Sequence, residues 1–365
     1  MRDKKRKIKV GIIFGGKSAE HEVSLQSAKN IIEALDKEKY EITTIGIDKI
    51  GNWYRGNSNF ILNASDPKLI KLNKEDSVSV VPSVNNSGQL ISLGSKRSSS
   101  MDVVFPVLHG PFGEDGTVQG LLKLTGIPFV GASVLGSAIG MDKDVMKRLF
   151  QHAKLPTAKF LVFEYSDEVN FKKIKRELGT PFFVKPANLG SSVGVSKVKN
   201  EKDFQEALQE AFRYDSKILV EKYIRGKEVE CSVLGNKNPI ASIPGEVLSK
   251  HEFYSYEAKY IDENGAILEI PAKLSRAKIK QIQWLAIQAF KALCLEGMAR
   301  VDFFLTIDGK IYINEANTIP GFTKISMYPK LWEASGISYS KLIDTLIELA
   351  IERFDRESKL KTKYQ

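Results

Sequence analysis

One predicted β-hairpin near the C-terminal end constrains the fold of this chain more than any other feature. Two apolar runs, residues 301–305 and 311–313, flank the pair Asp308-Gly309. An Asp-Gly pair between apolar strands is the strongest short-range signal for a hairpin, and we predict a two-residue turn. Such a turn fixes the register of the two strands, and therefore decides which side chains meet across them.

Four polar side chains of this hairpin are predicted to share one face, because side chains alternate along each strand. They form two facing pairs, Asp302 with Glu315 and Arg300 with Asn317. Two facing carboxylates, about 5 Å apart, repel each other unless a cation lies between them. Mg²⁺ prefers carboxylate and amide oxygens, and a tight turn at residues 317–321 follows directly. We therefore favour a metal site at Asp302, Glu315 and Asn317 over a solvated polar face.

The N-terminal third has the pattern of a parallel sheet. The apolar run 8–14 is typical of a buried parallel strand, apolar positions between residues 25 and 35 indicate an amphipathic helix, and Tyr40–Ile47 fits a second strand. Together they make one β-α-β unit. A strand at 103–108 and a helix at Thr117–Thr125 extend it, whereas residues 49–100 indicate a polar insertion with one or two small hairpins.

Residues 11–18, GIIFGGKS, match the P-loop pattern. We reject this match, because three of its four intervening residues belong to the strand and two acidic residues follow where phosphates would lie. Glu22 is interpreted instead as a carboxylate aimed at a ligand ammonium, or alternatively as a favourable charge at the N-terminus of a helix starting near Ser24. His109 lies between a strand and a glycine-rich loop, where open α/β sheets bind ligands, although a structural role is equally compatible.

Residues of the middle region fit contacts with phosphates. Lys143 lies in the first turn of a predicted helix, where its charge opposes the helix dipole and indicates an anionic partner. Lys185 ends a strand and can place a point charge on a phosphate. The loop 187–195 lies between two strands and could fold over phosphates, with backbone N–H groups and the hydroxyls of Ser191 and Ser192 as donors. An ordinary hairpin loop is the alternative.

The chain beyond the strand 218–220 fits recognition of a nucleoside. Backbone groups of the segment that contains Glu221, Lys222 and Ile224 could pair with the edge of adenine, and Glu228 could bind ribose hydroxyls. Residues 251–260 are aromatic and charged without a clear period. We interpret them as a mobile loop that substrate orders.

Composition limits the classes of function. The chain has 365 residues, which suits two or three domains. The two cysteines, Cys231 and Cys294, cannot form a disulfide framework and fit a reducing cytoplasm. We expect no signal peptide and no membrane-spanning segment. About half of the net charge of +10 comes from residues 1–9, and no basic face with interleaved aromatic residues follows, so neither nucleic acid nor a membrane is an expected partner.

Six motifs follow one another in a characteristic order. They are AEHEVSL at 19–25, LHG with GEDG at 108–116, MDK at 141–143, KP with GSSVG at 185–194, EAKY at 257–260, and RVD at 300–302 with EANT and PG at 315–321. In this order they closely resemble the D-alanine–D-alanine ligase family of the ATP-grasp superfamily. The resemblance covers nearly the whole chain beyond the basic N-terminus and the insertion.

This resemblance implies an α/β fold with a three-domain ATP-grasp architecture. A Rossmann-like parallel sheet domain is expected at residues 1–131, and two α+β domains, at 132–220 and 221–365, are expected to sandwich ATP. The implied reaction is ATP-dependent ligation of two D-alanines through an acyl phosphate, releasing ADP and phosphate, for peptidoglycan precursor synthesis. The resemblance also implies a cytoplasmic homodimer that uses two Mg²⁺ ions, or Mn²⁺ in their place.

The resemblance also implies a role for individual residues. The metal ligands are Asp302, Glu315 and Asn317. The ATP-binding residues are Lys143, Lys185, Ser192, Glu221, Lys222, Ile224, Glu228 and Lys259. The catalytic residues are Glu22, Ser191, Tyr260, Arg300 and Gly321, of which Glu22, Ser191 and Tyr260 are expected to form one hydrogen-bonded set. The substrate-binding residues are His109, Ser326 and Met327. Tyr260 within EAKY favours an amine over D-lactate as the nucleophile.

Overall fold

The structure, a computed structural model, describes residues 6–56, 77–81, 89–92, 98–249 and 266–361. Its N-terminal part contains β1 (Ile8–Gly15), α1 (His21–Ala34), β2 (Tyr40–Ile47), β3 (Trp53–Gly56), β4 (Val78–Val81), β5 (Gln89–Ser92), β6 (Ser98–Ser100), β7 (Val103–Val107) and α2 (Thr117–Thr125). One sheet has the order β3-β2-β1-β7, with β1 parallel to both β2 and β7. The predicted parallel sheet is therefore confirmed, and the described part of the insertion adds the small antiparallel sheet β4-β5-β6.

Two helices connect this part to a second sheet. They are α3 (Val134–Met141) and α4 (Lys143–His152). The second sheet follows with β8 (Phe160–Glu164), α5 (Phe171–Leu178), β9 (Phe182–Pro186), β10 (Ser196–Val198), α6 (Glu201–Phe212) and β11 (Lys217–Lys222). Its order is β10-β9-β11-β8 and its neighbouring strands are antiparallel. Both α5 and α6 cover one face, where Phe182 and Phe204 pack in a shared core.

The third sheet carries the predicted hairpin. Its part of the chain contains β12 (Gly226–Gly235), β13 (Ile240–Ala241), β14 (Gly245–Ser249), β15 (Ala266–Glu269), α7 (Arg276–Ala292), β16 (Gly297–Thr306), β17 (Ile311–Asn317), α8 (Met327–Ala334) and α9 (Tyr339–Ser358). The order is β15-β14-β12-β16-β17, and β13 pairs with β12. The sheet is antiparallel, so this part is α+β, as expected.

The hairpin β16–β17 has the predicted facing pairs but not the predicted turn. The N–H of Thr306 donates to the carbonyl of Lys310 at 2.9 Å, so the loop contains three residues, 307–309, instead of two. Next to the turn, each residue of β16 consequently faces a residue of β17 that is one position earlier than predicted. A β-bulge on β17 then restores the register, and Asp302 faces Glu315 while Arg300 faces Asn317. The prediction of a two-residue turn was wrong. One extra residue in β17 compensates for the extra residue in the turn.

Two hydrophobic cores combine elements that are far apart in the sequence. The last helix, α9, packs its apolar face with α1 and with strands β1 and β7, so it closes the core of the first sheet. Helix α4 precedes the second sheet in the chain, yet Met146 and Phe150 pack with strands of the third sheet. Within the described residues, no helix is both long and apolar enough to cross a membrane.

Candidate active site

The polar face of the hairpin is a connected network of charges. Arg300 holds Asp302 in a bidentate pair, with Nε donating to Oδ1 and Nη2 donating to Oδ2, both at 2.8 Å. Asn317 Nδ2 donates to the same Asp302 Oδ2 at 2.9 Å, and Arg300 Nε lies 2.8 Å from the carboxylate of Glu230. Burial lowers the pKa of Arg300, but the carboxylates of Asp302 and Glu230 outweigh it and raise that pKa well above its ordinary value.

Lys143 links this face to the glycine-serine loop. It is the first residue of α4, its Nζ lies 3.8 Å from Glu315 Oε2, and the same ammonium donates to the carbonyl of Leu189. Burial lowers its pKa, although Glu315 opposes that effect. The predicted first-turn position of Lys143 is confirmed. The anionic partner in the described residues is Glu315.

Lys185, Glu221 and Lys147 form a buried trio of charged side chains that was not predicted from the sequence. The carboxylate of Glu221 lies between two ammonium groups, with Oε2 on Lys185 and Oε1 on Lys147. The carboxylate of Glu221 therefore orients Lys185. The pairing of this segment's backbone groups with adenine stays a prediction. Burial alone raises the pKa of Glu221, and the two lysines reverse this and lower it. A signal was present in the sequence, since Lys147 lies four residues after Lys143 and hence on the same helical face.

The glycine-serine loop contacts the start of α1. Ser191 Oγ donates to Glu20 Oε1, and a Cβ on Gly110 or on Gly190 would lie 3.4 Å from Glu20 Oε2. Ser191 and Ser192 adopt φ values of +52° and +60°, a conformation that costs energy in residues other than glycine and is concentrated at functional loops.

Glu22 does not join Ser191, contrary to the prediction. Its carboxylate is paired with Lys49 at 2.6 Å and points to the exposed side of the helix. The reason is the start of α1, which begins at His21 instead of near Ser24. Glu20 therefore precedes the first turn and faces the loop, while Glu22 lies within that turn. Tyr260, the third member of the expected set, and Lys259 lie outside the described residues.

His109 and Glu114 connect the first sheet to the chain after β17. His109 Nδ1 lies 3.0 Å from the carbonyl of Ile319, and its buried Nε2 has no hydrogen-bond partner in the part of the chain that the structure describes. Glu114 accepts hydrogen bonds from the N–H of Gly110 at 2.8 Å and of Ile319 at 3.3 Å. Burial and the nearby Glu20 carboxylate raise the pKa of Glu114 to about 8.

The segment after Ile319 packs closely at the start of α8. A Cβ on Gly321 would lie 2.7 Å from Ser326 Oγ, so only glycine fits without a shift. Ser326 Oγ accepts from the N–H of Thr323 at 3.0 Å, and Met327 begins α8 with a buried side chain. Gly321 and Ser326 are thus neighbours, and their roles in catalysis and in substrate binding stay predictions.

The remaining nucleoside candidates lie where β11 leads into β12. Lys222 is exposed and its N–H donates to the carbonyl of Lys159 at 2.9 Å, while Ile224 is half-buried. Glu228 is half-buried on β12 and faces Phe304, two positions from the Glu230–Asp302 pair and on the same face. These residues belong to the part of the chain that passes from β11 of the second sheet into β12 of the third.

The two antiparallel sheets, the glycine-serine loop and the facing carboxylates define a class of protein. Lys185 and Glu221 pair within the second sheet, and Lys143, which begins the helix before that sheet, pairs with Glu315 of the third sheet. This is the arrangement of an ATP-grasp enzyme. The residues that the structure describes contain no cluster of three His, Cys, Asp or Glu side chains able to hold a metal. Any metal at this face therefore depends on two carboxylates and an amide.

Comparisons with known proteins specify the family. Residues 9–132 match the model of the D-ala D-ala ligase N-terminus, and residues 149–348 match that of the D-ala D-ala ligase C-terminus. The D-alanine–D-alanine ligase of Oceanobacillus iheyensis is 57% identical over 360 residues, which are 98% of each chain. D-alanine–D-alanine ligase A of Escherichia coli K12 is 49% identical and covers 98% of this chain and 99% of its own.

Two solved structures have the same fold over almost all of the chain. The D-alanine–D-alanine ligase of Coxiella burnetii superposes with a TM-score of 0.87 at 42% identity, covering 97% of this chain and 96% of its own. The VanG D-Ala:D-Ser ligase of Enterococcus faecalis gives a TM-score of 0.84 at 38% identity, covering 94% and 100%. The chain belongs to the D-alanine–D-alanine ligase family, and the expected ATP-grasp fold is confirmed.

Proposed function

We propose that this chain joins two D-alanines to D-alanyl-D-alanine, consuming ATP and releasing ADP and phosphate, for peptidoglycan precursor synthesis in the cytoplasm. The observation that carries the proposal is the facing pair Asp302 and Glu315, set beside Lys143 and the glycine-serine loop. Family membership supports it over nearly the full length of the chain.

ATP binds between the second and third sheets in this proposal. Lys143 and Lys185 contact phosphates, and Ser192 with the loop backbone donates hydrogen bonds to them. The Glu221 carboxylate, fixed by two lysines, keeps Lys185 in place, while backbone groups from Lys222 to Ile224 pair with adenine. Glu228 binds the ribose, and Lys259 adds a further phosphate contact.

The oxygen donors of the hairpin face are of the kinds that bind magnesium. Asp302, Glu315 and Asn317 place carboxylate and amide oxygens on one face of two adjacent strands, and hard cations prefer such oxygens. These three residues would hold two Mg²⁺ ions, or Mn²⁺ in their place. Bound Mg²⁺ offsets the negative charge of a triphosphate during phosphoryl transfer.

The first D-alanine lies between α1 and the segment after β17. Glu20, in the place that we had given to Glu22, binds its ammonium, and Ser191 closes the loop over it through the observed hydrogen bond. His109 lines the same subsite. The substrate carboxylate attacks the γ-phosphorus of ATP, the bond from that phosphorus to the bridging oxygen breaks, and ADP leaves. The product is an acyl phosphate, and Arg300 stabilises the charge that develops on it.

The second D-alanine binds at the start of α8, where Ser326 and Met327 hold its carboxylate. Its amine attacks the acyl carbon, and phosphate leaves from the tetrahedral intermediate. The N–H of Gly321 donates to the oxygen of that intermediate, and Tyr260 completes the contact between the loop 251–260 and the first subsite. The same proposal assigns residues 1–131, 132–220 and 221–365 to three domains and assembles the chain as a homodimer.

A substrate panel tests this function. Purified protein with Mg²⁺ and ATP is incubated with D-alanine alone, and with D-alanine plus D-serine or D-lactate, while phosphate and the ligated product are quantified. We expect D-alanyl-D-alanine as the main product and no depsipeptide with D-lactate. The similarity to a D-Ala:D-Ser ligase makes D-serine the critical competitor. A dominant D-alanyl-D-serine product, or no D-alanine-dependent phosphate release, would refute the proposal.

A further inference from the structure

Lys147 is a fully buried lysine on α4, one helical turn beyond Lys143. Its ammonium has three N–H donors, and three acceptors surround it. It pairs with Glu221 Oε1, donates to the carbonyl of Asn314 at 3.0 Å and donates to Thr157 Oγ1 at 3.3 Å. Every donor of this buried cation therefore has a partner.

Two of the three acceptors of Lys147, Glu221 and Asn314, adjoin the two ends of the proposed nucleotide site. Glu221 is on β11 and holds Lys185 with its other oxygen. Asn314 is the residue of β17 where the bulge occurs, directly before Glu315. Because the bulge compensates for the three-residue turn, it decides that Glu315 and not its neighbour faces Asp302.

We propose that Lys147 is a positioning residue, which sets the phosphate-binding Lys185 through Glu221 and the metal-binding Glu315 through the carbonyl of the bulge. This inference rests on the proposed function, since it assigns a role within the same ATP site. Lys147 itself touches neither nucleotide nor metal. Its effect passes through the groups that do.

Stability alone does not account for a lysine at this place. A buried ammonium loses several kcal/mol of hydration, and apolar residues of similar volume often stabilise such positions equally well or better. Arg353 offers a matched comparison, because it is a buried cation on α9 that donates to the carbonyls of Phe129 and Gly131. The charged groups that act on it are Glu296, Glu357 and Arg356, and none of Lys147, Lys185 and Glu221 is among them.

The test compares Lys147→Met and Lys147→Gln with Arg353→Met and the unmodified chain. Binding of Mn²⁺ in the presence of ADP is followed by electron paramagnetic resonance, and ADP binding by calorimetry. Loss of a group that supports metal ligands typically costs 10- to 100-fold in affinity. We therefore expect Lys147→Met to weaken both Mn²⁺ and ADP by about tenfold or more, Lys147→Gln to weaken them less, and Arg353→Met to leave both within about twofold.

Kinetics separate positioning from a general loss of structure. Lys147→Met should raise KM for ATP and lower kcat while KM for D-alanine stays unchanged. Normal Mn²⁺–ADP affinity in Lys147→Met, or an equal rise in both KM values, would overturn the inference. If the methionine variant does not fold, the glutamine variant decides by the same criteria. An unmodified chain that binds Mn²⁺–ADP without ligating D-alanine would refute the proposed function, while the binding comparison still decides the role of Lys147.

Discussion

Ser191 donates its hydroxyl hydrogen bond to the Glu20 carboxylate across 171 positions of the sequence. The contact joins the loop after β9 to the residue at the N-cap position of α1, and it therefore links the second sheet's loop to the first part of the chain. Ser191 has a positive φ, and the carboxylate of Glu20 lies next to Gly110 and Gly190, where an added Cβ would lie 3.4 Å from Oε2. A carboxylate in this position can both bind a substrate ammonium and hold the loop closed.

Replacement of Glu20 should damage the first D-alanine subsite, whereas the same change at Glu22 should not. A hydrogen bond to a charged group contributes about 1.5–3 kcal/mol, so we expect Glu20→Gln to raise KM for D-alanine by about 10- to 100-fold. Glu22→Gln removes an exposed pair with Lys49 and should stay within about twofold of the unmodified enzyme. Initial rates of phosphate release against D-alanine concentration measure both. A larger effect at Glu22 would restore our original assignment.

Glu315→Ala should abolish metal binding and ATP hydrolysis together. Loss of a direct ligand costs more than loss of its supporting partners, so turnover should fall by at least ~100-fold. Glu296→Ala is the control, because Glu296, like Glu315, pairs with a cation, here Arg356, but does so at the surface. Turnover and Mn²⁺ binding are measured side by side. Near-normal turnover of Glu315→Ala would defeat the metal assignment.

The two candidate phosphate lysines give opposite expectations. Lys185→Ala should weaken ADP binding by about 10- to 100-fold, since it removes a charge-assisted contact and leaves Glu221 with one cation fewer. Lys17→Ala, in the segment that matches the P-loop pattern, should leave ADP affinity unchanged, because residues 11–14 lie within strand β1 and Lys17 is exposed. Calorimetry with ADP distinguishes them. The reverse order would mean that the P-loop pattern binds the nucleotide.

Glu114→Gln should alter the pH dependence of stability. The pKa of Glu114 rises from an ordinary value of 4.5 to about 8 in the folded chain, because of burial and the Glu20 carboxylate. Between these two values the unfolded chain releases the proton first, so the contribution of Glu114 to stability falls as pH rises and levels off above pH 8. Glutamine does not titrate.

Urea unfolding of both proteins from pH 5 to pH 9 checks this prediction. The stability of Glu114→Gln relative to the unmodified chain should increase from pH 5 to pH 8 and then stay constant. A difference independent of pH would show that Glu114 is already ionised at neutral pH.

Elements with a clear local pattern were predicted well. The strand Tyr40–Ile47 and the helix Thr117–Thr125 have the predicted bounds, because continuous apolar runs and helical periodicity need no information from distant residues. The helix α1 began earlier than predicted. The side chain of its N-cap residue, Glu20, makes no capping hydrogen bond, so the sequence carries no capping signal for this helix start.

The hairpin shows how a correct result came from an incorrect turn. The facing of Asp302 and Glu315 was predicted from a two-residue turn, but the real loop has three residues and Asn314 supplies the compensating bulge. That bulge is held by Lys147 and by the chain at Pro156 and Thr157. Contacts across such sequence distances leave no local pattern, so neither the bulge nor the role of Lys147 could be read from the hairpin alone.

The choice between Glu20 and Glu22 depended on tertiary structure in the same way. Both acids lie in one motif, and only the meeting of the glycine-serine loop with α1 separates them. Glu114 was part of a recognised motif, but its raised pKa arises from burial against a segment more than two hundred positions later.

The packing of α9 has a consequence for biosynthesis. Leu342, Leu346 and Ala350 of this helix complete the apolar layer over β1 and β7, and Tyr339 donates to the carbonyl of Phe322 beneath it at 2.7 Å. During synthesis, strands β1 and β7 therefore stay uncovered on this side until α9 has been made, and α9 begins more than 200 positions after β7 ends. Truncation within α9 should consequently leave a nascent chain that depends on chaperones at its N-terminal sheet, far from the deleted residues.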